Sequence, residues 1–211
     1  MTEKSPERLV SFTDAVVAIA LTLLVLPLTE IVPELVAAHG EPITAITHNQ
    51  AKIWSFLLSF VVIGRQWVTH HRLFERVRAY DAVLFAVNMV WLLTVVLLPF
   101  PTQMIGAFGT NEFTCLFYIG TMVVNSACLA MLVALAHGRP ELVKVGAVIS
   151  DRWLFNAIGS AIALAAAFML VVIVPSVNYF AILLLVVPPV LARLAHPDAP
   201  RAPIWPDREW P

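Results

Sequence analysis

An aspartate, Asp14, stands inside an otherwise apolar run, "RLVSFTDAVVAIALTLLVLPL" from Arg8 to Leu28. Two adjacent histidines and an arginine lie in a second stretch, "WVTHHRLF" from Trp67 to Phe74. These are the residues whose types could do chemistry. A lone carboxylate inside a membrane span costs a few kcal/mol or more, so Asp14 requires a partner. Arg8 is poorly placed to serve on the same helix, because six residues carry it about 120° around the axis. If the second stretch returns antiparallel, His70, His71 and Arg72 reach the depth of Asp14. The expected arrangement is then a polar cluster of Arg8, Asp14, His70, His71 and Asn88 that holds the first helix in one rotation. Asn125 and Asn156 are expected to hydrogen-bond between helices. Asp14 with one histidine also has the composition of a proton relay, the basis of an alternative reading as a proton- or cation-coupled secondary transporter. A metal centre is not expected, since adjacent helical histidines point about 100° apart and no further Cys, His or carboxylate set lies at a supporting depth. An enzyme is not expected either. Cys115 and Cys128 are too few for a disulfide framework and read as packing residues.

The elements that must position these groups are membrane helices. Apolar residues make up 60% of the 211 and charged residues 13%, and the mean hydropathy is +0.84, outside the range of soluble domains. Runs long enough to cross a bilayer, about 20 residues each, fall at 9–28, 53–71, 82–101, 113–136, 153–174 and 178–194. Six helices are therefore expected, in an all-α integral membrane domain over residues 1–196, with a proline-rich tail over 197–211. The first run is too long for a signal peptide's apolar region and carries Asp14, so it reads as a retained span. Turn residues divide the spans: Pro33 and the stretch from His39 to Pro42, then Pro99 and Pro101, then Gly138 to Pro140, then Pro175.

With the N-terminus inside, twelve of the thirteen Lys and Arg residues fall on the cytoplasmic side and only Lys52 outside. That asymmetry is a positive-inside signal and agrees with an even number of spans. Both termini are expected in the cytoplasm, in the plasma membrane of a prokaryote. The net charge of -1 hides the asymmetry along the chain and by itself says nothing about nucleic acid, which is not expected as a partner. Glu30, Glu34, Glu41 and Glu112 make the outer connections weakly acidic.

The first helix has two distinct faces. Ile19, Thr22, Leu23 and Leu26 lie within an arc of about 100°, and Asp14 points about 140° away from Ile19. Periodicity alone leaves lipid, another helix or a pore as what the apolar face meets.

Arg8, Phe12, Thr13 and Asp14 resemble the R-x-x-x-F-S-D signature that opens the first helix in the transmembrane protein 175 family of potassium channels, with Thr13 in place of the serine. "WVTHHRLF" and "NMVWLLTVVLLPFPT", from Asn88 to Thr102, are similar to that family's second and third spans. The last three spans resemble it only in number. The resemblance implies a homotetramer whose first helices surround a central pore, with Ile19 at a constriction and Thr22, Leu23 and Leu26 also lining the path. It implies potassium as the permeant ion and no cofactor.

Physical reasoning fills in what such a pore would do. Stacked apolar rings close a path by dewetting. No TVGYG-like carbonyl filter is present, so preference for potassium over sodium would come from the cost of shedding water, with Thr22 supplying the one hydroxyl. The expectation is a leak-type conductance of modest selectivity. No span carries a series of arginines that would sense voltage. The transporter alternative lacks an inverted repeat or paired broken spans.

Overall fold

The computed structural model describes residues 6–109, 111–174 and 177, and these are helical apart from short connections and one isolated bridge. The sixth expected span, 178–194, and the tail, 197–211, lie outside the described residues. The helices are α1 (Glu7–Leu23), α2 (Leu26–Thr29), α3 (Ile31–Ala37), α4 (Thr44–Thr47), α5 (Gln50–Arg76), α6 (Ala82–Leu97), α7 (Pro99–Phe108), α8 (Glu112–His137) and α9 (Asp151–Ile173).

Four stretches among the described residues are long and apolar enough to cross a membrane: Glu7–Ala37, Ala82–Phe108, Glu112–His137 and Asp151–Ile173. The second expected span, 53–71, forms the middle of α5, which has the length at 27 residues but not the composition. Lys52, Arg65, Gln66, His70, His71 and Arg72 hold it below the others. Its polar residues turn inward: Ser55, Ser59 and His70 are buried while Leu57, Leu58, Phe60 and Val61 are exposed. A helix that hides its hydroxyls and displays its leucines is arranged for a lipid surround, where apolar side chains gain nothing from leaving the surface.

Two of the expected turns are instead helical. Pro33 lies in the first turn of α3, and Pro99 and Pro101 in that of α7. Proline is tolerated there because the first-turn N–H groups have no intrahelical acceptor. Pro27 takes the same place in α2, after the chain breaks at Leu24 and Val25. The first and third membrane runs are thus broken rods that extend beyond their prolines.

The N-termini of α6, α8 and α9 are capped by Asp81, Asn111 and Ser150, whose side chains accept from backbone N–H groups. Each cap satisfies one otherwise unpaired donor. Inside the bundle α8 is the most enclosed helix, with Tyr118, Ile119, Met122, Leu132 and Val133 fully buried and with α6, α7 and α9 packed around it. Hydroxyls and amides tie the helices together. Ser59 Oγ lies 2.7 Å from Thr102 Oγ1 and 3.1 Å from Tyr118 Oη, joining α5, α7 and α8. Asn125 Nδ2 donates to Thr94 Oγ1 at 2.7 Å, joining α8 to α6. Asn156 departs from the expectation: its Oδ1 is buried with no hydrogen-bond partner among the described residues. Where α5 meets α7, a Cβ on Gly106 would sit 3.2 Å from Lys52 Cα, so the absent side chain permits the close approach. Cys115 and Cys128 are free thiols.

One end of the bundle is stitched by backbone bonds between two connections. Arg78 N donates to Leu142 O at 2.8 Å and Lys144 N donates to Arg76 O at 2.8 Å, closing an isolated antiparallel bridge between Val77 and Val143. Arg139 pairs with Asp81 across the same gap. Arg72, Arg76, Arg78, Arg139 and Lys144 therefore gather at one end. The N-terminus of α1 is at that end too, because α1 runs antiparallel to α5.

Candidate functional site

The site is built on α1. Its inward stripe, Leu9, Thr13, Val17, Ala20 and Leu24, is buried at the three- and four-residue spacing of a helix face. Thr13 is the one polar member and is completely enclosed. Asn88 of α6 donates its Nδ2 hydrogen to Thr13 Oγ1 at 3.2 Å. Its Oδ1 lies 2.6 Å from His70 Nε2. An amide oxygen only accepts, so this bond requires the hydrogen on Nε2 of His70. That ring is clamped between Trp91, at 4.1 Å and 10°, and Phe74, at 4.5 Å. The relay His70 to Asn88 to Thr13 thus crosses three helices in a fully buried setting.

Asp14, one residue on, occupies a more open position. Its Oδ1 accepts from Trp67 Nε1–H at 2.8 Å, and its Oδ2 lies 3.1 Å from His71 Nδ1. The His71 ring also packs against the Trp67 indole, with centroids 5.5 Å apart, and its Nε2 is 3.8 Å from Glu75 Oε1. Asp14 and His71 each keep 27% of their side-chain exposure. Adjacent residues of α1 are therefore held by adjacent histidines of α5 through separate bonds, Thr13 by way of Asn88 and Asp14 directly.

Arg8 does not join this cluster. It is exposed, and no described side chain pairs with it. Two participants escaped the sequence reading. Trp67 opens the "WVTHHRLF" stretch without an assigned role, and its indole N–H is visible as a donor only once α5 lies beside Asp14. Thr13 was a motif residue with no assigned bond. Its signal was a hydroxyl directly beside an intramembrane carboxylate.

The outward face of α1, continued by Leu26 at the start of α2, is apolar and exposed among the described residues. Ile19 is 58% exposed, Leu26 48% and Leu23 40%, with Phe12 exposed at the basic end. Thr22, on the same face, donates its hydroxyl hydrogen to Ile19 O at 2.7 Å. With its proton committed to the backbone, the oxygen shows only lone pairs outward.

Residues 8–99 match the family described as "Endosomal/lysosomal potassium channel TMEM175". A protein named potassium channel from Streptomyces collinus is 34% identical over 149 residues, covering 69% of this chain and 68% of that one. The chain belongs to the TMEM175 family. A second TMEM175 relative named potassium channel, from Chamaesiphon minutus, is 34% identical over 105 residues, covering 48% of this chain and 49% of its own. Its organism also supplies a solved structure, titled a crystal structure of a lysosomal potassium-selective channel TMEM175 homolog. That structure superposes with a TM-score of 0.70 at 25% identity, over 92% of this chain and 98% of that one. The rat relative is named an endosomal/lysosomal proton channel and is 26% identical over 143 residues. The chain spans 67% of its own length in that match and only 28% of the rat protein. Residues 8–99, which match the family, contain the whole anchoring assembly of Thr13, Asp14, Trp67, His70, His71 and Asn88. The chain is thus a membrane protein of an ion-channel family, all-helical in its described part.

Proposed function

We propose that four copies of this chain surround a central axis and form a potassium-conducting, leak-type channel in the plasma membrane of a prokaryote. Each copy contributes six spans from residues 1–196, with α5 and the stretch 178–194 completing the set. Both termini and the basic end of the bundle lie in the cytoplasm, and residues 197–211 extend from that end. The exposed apolar face of α1, opposite a face anchored by two sets of polar bonds, is the observation that carries the reading. One six-helix subunit offers a single such stripe, and only symmetry turns it into a ring.

Four Ile19 side chains form the neck, and Leu23 and Leu26 repeat the constriction toward the opposite end. Ile19 to Leu26 spans about 10 Å of helical rise. Water leaves so narrow and apolar a passage readily, which closes it until the helices part. An ion crossing it sheds part of its hydration shell. Potassium holds its water less tightly than sodium and is favoured modestly. The Thr22 oxygens offer acceptors at that step, which favours cations over anions. Arg8, exposed beside the anchor, contacts a neighbouring subunit. The names and the shared fold of the bacterial relatives support this function.

The test is reconstitution of the pure protein in liposomes under a potassium gradient, with permeability ratios read as bi-ionic potentials. Potassium flux without any proton gradient is expected, and its absence would overturn the reading. The contact between Asp14 and His71 is what a proton-coupled carrier would rest on. That carrier predicts flux that demands a proton gradient and vanishes in Asp14→Asn.

A further inference from the structure

A cavity of about 150 Å³ lies between α5, α8 and α9, apart from the pore face and the anchor of α1. Its polar lining is Arg65, Gln66 and Thr69 from α5, Ser126 from α8, and Asn156 and Ser160 from α9. Polar groups at this density are out of place between membrane helices unless something binds them. Arg65 is about 16 Å along α5 from its last residue, Arg76, and no described carboxylate pairs with it. Asn156 Oδ1 is buried and lacks a donor. Thr69 Oγ1 gives its hydrogen to Arg65 O at 3.1 Å, and Ser160 Oγ gives its own to Asn156 O at 2.8 Å. Both hydroxyls are thereby converted into acceptors. The Arg76 guanidinium stands 4.6 Å from the ring centroid of Trp153, another lining residue, so a second cation flanks the wall.

The cavity therefore presents a guanidinium and one buried acceptor, Asn156 Oδ1, that lacks a donor. An occupant must carry an anion and donate hydrogen bonds at the same time. Water satisfies the acceptors but leaves the arginine unneutralised. A phosphodiester with an ammonium, as in phosphatidylethanolamine, would bring a further cation to a lining with no Asp or Glu among the described residues. A phosphodiester bearing free hydroxyls meets every demand. We propose that this cavity binds the headgroup of an anionic phospholipid of the phosphatidylglycerol type, its phosphate on Arg65 and a glycerol hydroxyl donating to Asn156 Oδ1. Arg65 is exposed, which leaves the cavity open for a headgroup to enter sideways while its acyl chains stay in the bilayer. Basic pockets between membrane helices are suited to such headgroups. The leaflet follows from the orientation proposed above, whereas the headgroup chemistry does not depend on it.

The experiment is native mass spectrometry of the full-length protein released from micelles doped with defined lipids, scored as lipid retained per subunit. Wild type should retain phosphatidylglycerol about tenfold better than phosphatidylcholine or phosphatidylethanolamine, the scale of one charge-assisted contact. Phosphatidylmethanol, which keeps the phosphodiester and lacks the hydroxyls, should fall between them. Arg65→Gln should reduce phosphatidylglycerol to the phosphatidylcholine level. Asn156→Leu should erase only the difference between phosphatidylglycerol and phosphatidylmethanol. Undiminished retention in Arg65→Gln would overturn the proposal. So would dissociation of the assembly in that variant, which would make Arg65 a subunit contact, or displacement of the lipid by millimolar glycerol phosphate, which would assign the site to a free phosphoester. Retention is scored without any ion flux, so failure of the channel reading leaves this test intact.

Discussion

Replacing Asn88 with leucine, Thr13 with valine, and then both together isolates the bond that fixes the rotation of α1. All three members of the relay are fully enclosed, with Thr13, His70 and Asn88 each at 0% exposure, so no solvent is at hand to replace a lost partner. Asn88→Leu strands the His70 Nε2–H and removes the donor to Thr13. An unsatisfied buried donor costs about 1–3 kcal/mol, and the second lost bond adds about 0.6 kcal/mol, the average for an interhelical bond in a membrane protein. The expected loss is about 2–3 kcal/mol. Thr13→Val removes one acceptor and should cost about 1 kcal/mol. The double variant must be less damaging than the sum, because the Asn88–Thr13 bond at 3.2 Å can be lost only once. The expected coupling is between about 0.6 and 1.7 kcal/mol. Reversible unfolding in mixed micelles, followed by tryptophan fluorescence, measures all four corners of the cycle. Costs that add to within about 0.3 kcal/mol would mean that Asn88 and Thr13 do not touch and that the rotation of α1 is set elsewhere.

Trp67→Phe keeps the ring beside His71 and deletes the donor to Asp14, so about 1 kcal/mol of stability should be lost in the same assay, less than for a dry charged bond because Asp14 is partly exposed; no loss would remove the indole from the anchor. Ile19→Asn should wet the neck, raising single-channel conductance several-fold while the potassium-to-sodium permeability ratio falls toward one; unchanged currents in planar bilayers would take Ile19 off the ion path. Arg8→Ala should leave subunit unfolding unchanged and lower the tetramer fraction in native mass spectra, whereas intact tetramers would show that Arg8 meets lipid alone. Asp81→Ala removes both the α6 cap and the partner of Arg139, an expected cost of about 1–2 kcal/mol by unfolding, and a neutral result would discount the stitching of the basic end.

The two faces of α1 could be read in the chain because both rest on helical period. Asp14 and Ile19 are five residues apart and must diverge, and the expense of an intramembrane carboxylate points to the polar groups of α5 as its partners. Trp67 resisted that logic: an indole in a span packs or sits at an interface far more often than it caps a carboxylate, and its neighbour is set by tertiary approach. His70 and His71 looked interchangeable, and the fold divides them, because a 100° step sends one toward α6 and the other toward α1. Prolines misled in the opposite direction. Pro33, Pro99 and Pro101 carry turn chemistry as residues, yet each follows a helix break closely enough to begin a new segment. Asn156 fits the pattern of an interhelical amide, but the groups that would complete it leave a cavity instead.

The break at Leu24 and Val25 gives the anchored turn of α1 a mechanical meaning. Thr13 and Asp14 fix α1 by hydrogen bonds, whereas Val17, Ala20 and Leu24 hold the helix beyond them by packing alone. Ile19 stands about 8 Å along the helix from that anchor, so in the fourfold arrangement proposed above a lean of 10° would move it about 1.4 Å and part opposite copies by about twice as much. That would be about the breadth of a water molecule, reached by a small tilt of the four first helices about their anchors.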